Sequence, residues 1–350
     1  MKLLIITSKP KLSHLEEFGK SLKKFNVEYK LIEDLQYIDK FSILTKHEKM
    51  KKFEKLIGEF VPDWVLLDRI SELGLKIIEK NIPLLVTIRG DIWEEEKIAK
   101  EGNSLRFRLA LIRKRRIIKK CISKAEVILP ISDYLSGIVK KQFPKNRIIV
   151  FPISSREPNY WKNENGKKLK HPCVGIVQGT AIWGKTKEML ILPKIIEAHT
   201  SVNFYWAGDG EFTKLITSKL ERYDNFTWLG RLSYPDEVKK FVSEIDVFAL
   251  VSGMDSFGQV ILEASLLKKP VLASNVGGIS DIVKHGKTGF LIEKGDVNGW
   301  IDKISLLIND QKRCKEMGEQ GREFIKNNFS WEKTAEKFIN ILKEVGTKTN

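Results

Sequence analysis

Ten short runs dominated by Val, Ile and Leu recur along the chain, and none alternates apolar with polar residues. In the first half they are Leu3–Thr7, Trp64–Leu67, Leu84–Ile88, Val127–Ile131 and Ile148–Phe151. In the second they are Cys173–Val177, Phe204–Ala207, Asp246–Val251, Val271–Ser274 and Phe290–Ile292. Runs of this kind, bounded by turn residues, suit strands buried on both faces of a parallel sheet. Longer helical stretches separate them, so strand and helix alternate twice over. The pattern predicts an α/β protein built from two doubly wound units. A length of 350 residues agrees, at roughly 100–200 residues per domain. The apolar pattern lapses over Ser154–Lys170, where Ser, Asn, Gly, Lys and Pro cluster, and the seam belongs there. The expected organisation is an N-terminal domain over 1–155, a C-terminal domain over 170–328, and a last helix within 329–350 that can cross back to the N-terminal domain. Ser330 is its candidate N-cap, and Phe338, Ile341 and Leu342 follow at helical spacing.

Composition removes several classes. Hydrophobic residues are 42% and charged residues 30% of the chain, which excludes wholesale disorder, collagen and disulfide scaffolds. A formal charge of +16 calls for an anionic partner without choosing among nucleic acid, acidic lipid and phosphorylated substrate. Cys121, Cys173 and Cys314 are far apart and odd in number. They support neither a disulfide framework nor a zinc site, and point to a reducing compartment. No apolar run approaches the ~18 residues that span a bilayer, and Met1–Lys9 is too short and too soon recharged for a signal peptide.

The richest segment is Asp246–Gly295. A strand there delivers the loop Ser252–Ser256, then a helix from about Phe257 to Lys268, stopped by Pro270. In open α/β sheets ligands bind outside the carboxyl ends of strands, so this loop lies where a site belongs. The helix start adds free backbone N–H groups and a positive dipole end, which suit phosphate, and Gly258 permits close approach. Glu263 lies inside this helix among Val260, Ile261, Leu262, Ala264, Leu266 and Leu267. A buried carboxylate needs hydrogen bonds; ligand hydroxyls would supply them, and so would a structural ion pair with Lys185 or Lys187. Asp255, in a turn before a helix, reads equally as a cap. Gly277-Gly278 follows the next strand in the same topological position. The string Gly179-x4-Gly184-Lys185-Thr186 matches a P-loop in spacing, which would set Lys185 on phosphates and Thr186 on magnesium. It does not follow the first strand, however, and no acidic strand end completes a magnesium site.

Three stretches, Phe204–Glu211, Phe226–Arg231 and Asp246–Gly295, together resemble the C-terminal domain of retaining family 4 glycosyltransferases (glycosyl transferases group 1). The family's signature is two acids separated by seven residues, with Phe-Gly between them and a Gly-Gly loop after them. Asp255, Phe257-Gly258, Glu263 and Gly277-Gly278 stand in those places, with Ser252 three residues before the first acid. The resemblance implies the GT-B fold, two Rossmann-like domains facing a cleft. It implies that Glu263 binds ribose hydroxyls of a nucleotide sugar and Asp255 the hydroxyls of the donor sugar. Phe257, Gly258 and Gln259 would present backbone N–H groups to sugar and phosphate, and Lys185 would neutralise the diphosphate. Gly230 and Arg231 fall near the base-binding position. Three departures stand out. The first acid is Asp rather than Glu, one methylene shorter. Thr180 replaces the usual arginine, leaving Lys187 or Arg231 to meet donor charge. Ser8–Lys11 replaces the glycine pair after the first strand.

In the N-terminal half, Thr87–Glu94 looks like the family's acceptor-side loop, which makes Arg89, Asp91 and Glu94 acceptor-binding candidates; a salt-bridged surface loop is the other reading. The surplus cations concentrate between Arg106 and Lys120, with Leu105, Leu109 and Ile112 set among residues such as Arg113 and Arg116. Apolar residues amid such charge suit an interfacial helix on an anionic membrane; a plainly solvated face is the other reading. No nucleic-acid-binding signature accompanies the charge. The five histidines are scattered and read as structural or solvated.

Taken together, the resemblance implies a retaining, metal-independent glycosyltransferase without a resident cofactor, using a nucleotide-diphosphate sugar as donor. The acceptor class is a lipid-linked glycan, polysaccharide or glycolipid, and the expected location is peripheral, at the cytoplasmic face of the cell membrane. In a front-face displacement the leaving diphosphate oxygen takes the acceptor proton, so no enzymic base is required. A P-loop-like nucleotide hydrolase and a non-catalytic binder of anionic surfaces on the same fold are the rival readings.

Overall fold

Leu3, Leu4, Ile5 and Ile6 are wholly buried, as a run without alternation must be when helices cover both faces of its sheet. The computed structural model describes residues 1–38, 43–93, 105–154, 157–164, 166 and 168–346, with side chains from 45 and from 112 onward in the two helices that begin at Ile43 and Leu105. The chain divides into two units, Met1–Ser154 with Trp331–Asn350, and Ser155–Ser330.

In the first unit β1 (Lys2–Thr7), β2 (Glu28–Glu33), β3 (Trp64–Leu67), β4 (Leu84–Ile88) and β5 (Val127–Pro130) form one parallel sheet in the order β2-β1-β3-β4-β5. In the second unit the strands are β6 (Cys173–Val177), β7 (Asn203–Ala207), β8 (Phe226–Gly230), β9 (Val247–Leu250), β10 (Val271–Ser274) and β11 (Gly289–Ile292). Their parallel sheet has the order β11-β10-β9-β6-β7-β8. Chain order reverses between β1 and β3 in one sheet and between β6 and β9 in the other. Those two switch points are where an open α/β sheet leaves a crevice at its carboxyl edge.

Nine of the ten apolar runs are strands. The exception is Ile148–Phe151, which lies along β5 through the bonds Ile149 N–H to Ile128 O and Phe151 N–H to Pro130 O, but forms only an isolated bridge. Two strands, β2 and β8, lie outside the runs. Both are edge strands, and their exposed positions carry Glu, Lys, Thr and Trp, so their sequence is broken by polar residues. The helix expected from Phe257 to Lys268 spans Gln259–Leu266 instead, because Gly258 adopts a left-handed turn, φ +78°.

The last helix, Trp331–Gly346, belongs to the first unit. Its Trp331 and Phe338 pack against Phe18, with ring centroids 5.7 and 5.4 Å apart, and Phe338 also meets Phe151 at 5.7 Å. Four wholly or nearly buried aromatic rings therefore seal this helix to the unit that the chain left at residue 154. Phe338→Ala should destabilise the first unit by about 3–5 kcal/mol, read as a shifted denaturation midpoint. An unshifted midpoint would mean that the helix is not part of that core.

Candidate active site

The carboxyl edge of the second sheet is organised around Asp255. Its Oδ1 accepts the backbone N–H groups of Phe257 (3.1 Å) and Gly258 (2.7 Å), and its Oδ2 accepts Lys185 Nζ at 3.0 Å. The side chain thus caps the turn into the helix at Gln259. Two of the three amides expected to face sugar and phosphate, those of Phe257 and Gly258, are therefore engaged by this carboxylate. A second tie runs through the Asp255 carbonyl, which accepts Gly278 N–H at 3.0 Å. Gly277 beside it has φ +57°, and a Cβ there would lie 1.8 Å from the same carbonyl oxygen. Only glycine allows that approach. A third loop joins through Gly253, whose N–H donates to Lys185 O at 3.0 Å and whose place for a Cβ is filled by Gly184 O. Ser252 is wholly buried, its hydroxyl donating to Met254 O at 2.8 Å, so it shapes the loop from within.

Glu263 is buried one turn into the helix, between Ile261, Leu262, Ala264 and Leu266, all at most 2% exposed. Its Oε1 accepts the Tyr234 hydroxyl at 2.9 Å. Lys185, one of the two expected ion-pair partners, is bound to Asp255. Tyr234 escaped the sequence reading because nothing local ties a tyrosine in a Ser-Tyr-Pro turn to an acid 29 residues on. Phe257 buries its ring against Phe329 at 5.8 Å, while Gln259 is half-buried in the first helical turn.

Thr180 does not fill the place of the missing arginine. It is wholly buried, its hydroxyl is 2.7 Å from the Thr213 hydroxyl, and its N–H and carbonyl bond Asp209 O and Phe212 N. A side chain shorter than arginine folds inward to satisfy itself. Lys187 and Arg231 are exposed, and Gly230 has φ +72° at the end of β8. The P-loop spacing carries no P-loop geometry. Thr186 is buried and its hydroxyl bonds Ile182 O at 3.0 Å, back along its own short helix.

Gln178 follows β6 directly at the switch point. It is buried, and neither atom of its amide has a hydrogen-bond partner. Each such atom costs about 1–3 kcal/mol, a strain characteristic of places that meet a ligand. Sequence reading passed over it as a strand-end residue. None of the three cysteines competes for a nucleophilic role, since burial pushes Cys121 and Cys173 up to about 12 and Cys314 up to about 11.

The first unit repeats the arrangement at its own switch point. Thr7 ends β1, Asp68 follows β3 and Arg89 follows β4. The Thr7 hydroxyl donates to Asp68 Oδ2 at 2.6 Å, and Asp68 Oδ1 accepts Arg89 Nε. Arg89 Nη2 is buried without a partner. Asp91 is buried and accepts Trp93 N–H at 3.2 Å; Glu94 lies outside the described residues. In the helix Leu105–Ser123 the side chains of Leu105 and Leu109 also lie outside them. Ile112 is exposed, Arg113 bonds Glu72 at 2.6 Å, and Arg116 is exposed. Among the described residues no helix is long and apolar enough to cross a membrane.

Residues 184–324, which carry Lys185, Asp255, Glu263 and Gly277-Gly278, match the family model described as glycosyl transferases group 1. This segment belongs to the glycosyl transferases group 1 family. The chain is similar to an uncharacterized glycosyltransferase of Methanocaldococcus jannaschii, 30% identical over 226 residues that cover 63% of this chain and 60% of the relative. The match therefore spans less than two thirds of the relative's length. Among solved structures it resembles sucrose-phosphate synthase from Thermosynechococcus elongatus, with a TM-score of 0.79 and 14% identity over 99% of this chain and all of the other. It also resembles Anabaena HepE in complex with UDP and glucose, with a TM-score of 0.72 and 17% identity over 98% of this chain and 99% of that one. At such identities these likenesses establish the fold, which is GT-B.

With the unpartnered amide at the end of β6 replaced, Gln178→Leu should raise stability by about 1 kcal/mol or more, since two unsatisfied buried polar atoms disappear. A lowered unfolding temperature would show that the amide has partners.

Proposed function

We propose that the chain is a retaining glycosyltransferase that moves a sugar from a nucleotide-diphosphate sugar to a lipid-linked glycan, polysaccharide or glycolipid. The observation that carries this reading is Glu263, a carboxylate sunk in an apolar helix with a tyrosine hydroxyl on one oxygen. A carboxylate at this position can accept hydrogen bonds from ribose hydroxyls, which is the role that the resemblance gives it. Asp255 caps the turn that opens the same helix and holds Lys185 from the loop after β6, a cation for the diphosphate and an acid for the sugar. HepE, whose fold this chain shares, has been solved with UDP and glucose.

In this reading the donor diphosphate draws Lys185 toward itself and competes with Asp255 for the ammonium. The Gln178 amide gains the partners that it lacks. Charge that develops on the departing diphosphate is stabilised by Lys185, a preorganised group that needs no reorganisation at the moment of reaction. The diphosphate oxygen takes the acceptor proton, so the protein contributes positioning rather than a general base. Arg89, oriented by Asp68 and Thr7, presents its open Nη2 to the acceptor.

Glu263→Gln and Lys185→Ala should each lower sugar transfer by about two orders of magnitude or more while far-ultraviolet dichroism stays unchanged. The donor is first identified by thermal shift across nucleotide sugars. Undiminished turnover by either variant removes the assignment.

The acceptor class places the protein peripherally at the cytoplasmic face of a membrane, held by the basic helix Leu105–Ser123 through Leu105, Leu109, Ile112, Arg113 and Arg116. Co-sedimentation with anionic but not neutral liposomes is the expected result. Arg116→Gln should weaken it roughly fivefold, at about 1 kcal/mol per basic residue. Equal absence of binding to both vesicle types rules the membrane out as a partner.

A further inference from the structure

At the amino edge of the second sheet, opposite the loops described above, three potential metal ligands converge. Cys173 opens β6, His171 precedes it by two residues, and Asp246 immediately precedes β9. Register brings them together, because β6 and β9 pair with Val174 opposite Val247, which sets Cys173 beside Asp246. Asp246 Oδ2 lies 2.8 Å from His171 Nδ1 and accepts Cys173 N–H at 2.8 Å. Cys173 Sγ is 3.7 Å from the same imidazole nitrogen. The ligand atoms of all three lie within 4.8 Å of one another.

We propose that His171, Cys173 and Asp246 form a binding site for a divalent cation of the zinc class. The donor set of one imidazole nitrogen, one thiolate and one carboxylate selects such an ion over magnesium or calcium, which prefer all-oxygen surroundings. The spacing agrees. A tetrahedral ion with ordinary bond lengths sets sulfur and nitrogen ~3.6 Å apart and nitrogen and oxygen ~3.3 Å apart. The sulfur–nitrogen edge is already at that distance. The nitrogen–oxygen edge has to open by about half an ångström, as it does when an ion replaces the hydrogen between the two atoms. On binding, the thiol proton is released to solvent and the sulfur ligates as thiolate. The His171 and Asp246 side chains are 47% and 38% exposed, which leaves a route for the ion and a fourth position for water.

The neighbours set limits on the site. Lys269 lies within electrostatic reach of Asp246, but its ammonium donates to Ser243 O at 2.7 Å. Cys314, also near Asp246, is a second sulfur on a different element and provides the control. The site is one strand length from Gln178, ~16 Å at 3.3 Å per residue. Its role is to tie the starts of β6 and β9, separate from any chemistry at the carboxyl edge. Sequence spacing conceals it, because the acid is 73 residues from the cysteine.

The test uses untagged, chelator-stripped full chain. Cobalt(II) should produce a thiolate-to-metal charge-transfer band at one equivalent, and zinc should displace it stoichiometrically. The band should persist in Cys314→Ala and vanish in Cys173→Ala. His171→Ala, a change at an exposed side chain, should weaken zinc binding at least tenfold, since even outer-shell partners are worth about that much. No band at one equivalent, a band that survives Cys173→Ala, or undiminished zinc affinity in His171→Ala would each overturn the site and leave the cluster a plain hydrogen-bonded clamp.

Discussion

Asp255 is the point on which the second unit's carboxyl edge depends. One carboxylate oxygen closes the turn before a helix, the other takes a lysine from a different loop, and the backbone carbonyl receives a third loop. Each bond by itself is worth about 0.5–3 kcal/mol, those to the carboxylate at the upper end. Their value is geometric, because three segments far apart in sequence are brought to one register. The glycines at 277 and 253 serve the same end, since any side chain would push the loops apart. The lysine is therefore fixed in place by the acid, and any anion that approached it would share it with Asp255.

The two units solve one problem in the same way. A parallel sheet exposes its carboxyl edge where strand order reverses, and polar side chains gather there because helices cover everything else. In the second unit the gathering is Gln178, Lys185 and Asp255; in the first it is Thr7, Asp68 and Arg89. Both edges retain a buried polar group with an open valence, the Gln178 amide and Arg89 Nη2. The indole nitrogens of Trp161, Trp300 and Trp331 are likewise without partners, so what distinguishes these two groups is their place at the switch points.

The central strands were legible in the sequence because burial on both faces leaves an unbroken apolar run. Edge strands β2 and β8 were not, because half of their residues meet water and break that run. Within the site, Asp255, Glu263, Lys185 and Gly277 stood out through their order and spacing. Tyr234 and Gln178 did not, since their significance arises only from tertiary neighbours or the lack of them. The Phe257 and Gly258 amides and the Thr180 hydroxyl find their partners close by. A short side chain close to the backbone satisfies itself locally before it reaches outward.

The helix at 331–346 completes a core whose other members precede residue 155. On a ribosome, the opening unit therefore lacks one wall of aromatic packing until some 176 further residues, Ser155–Ser330, have been made. The middle of the chain can close its own core first, reversing the usual order in which the leading domain folds ahead of the rest.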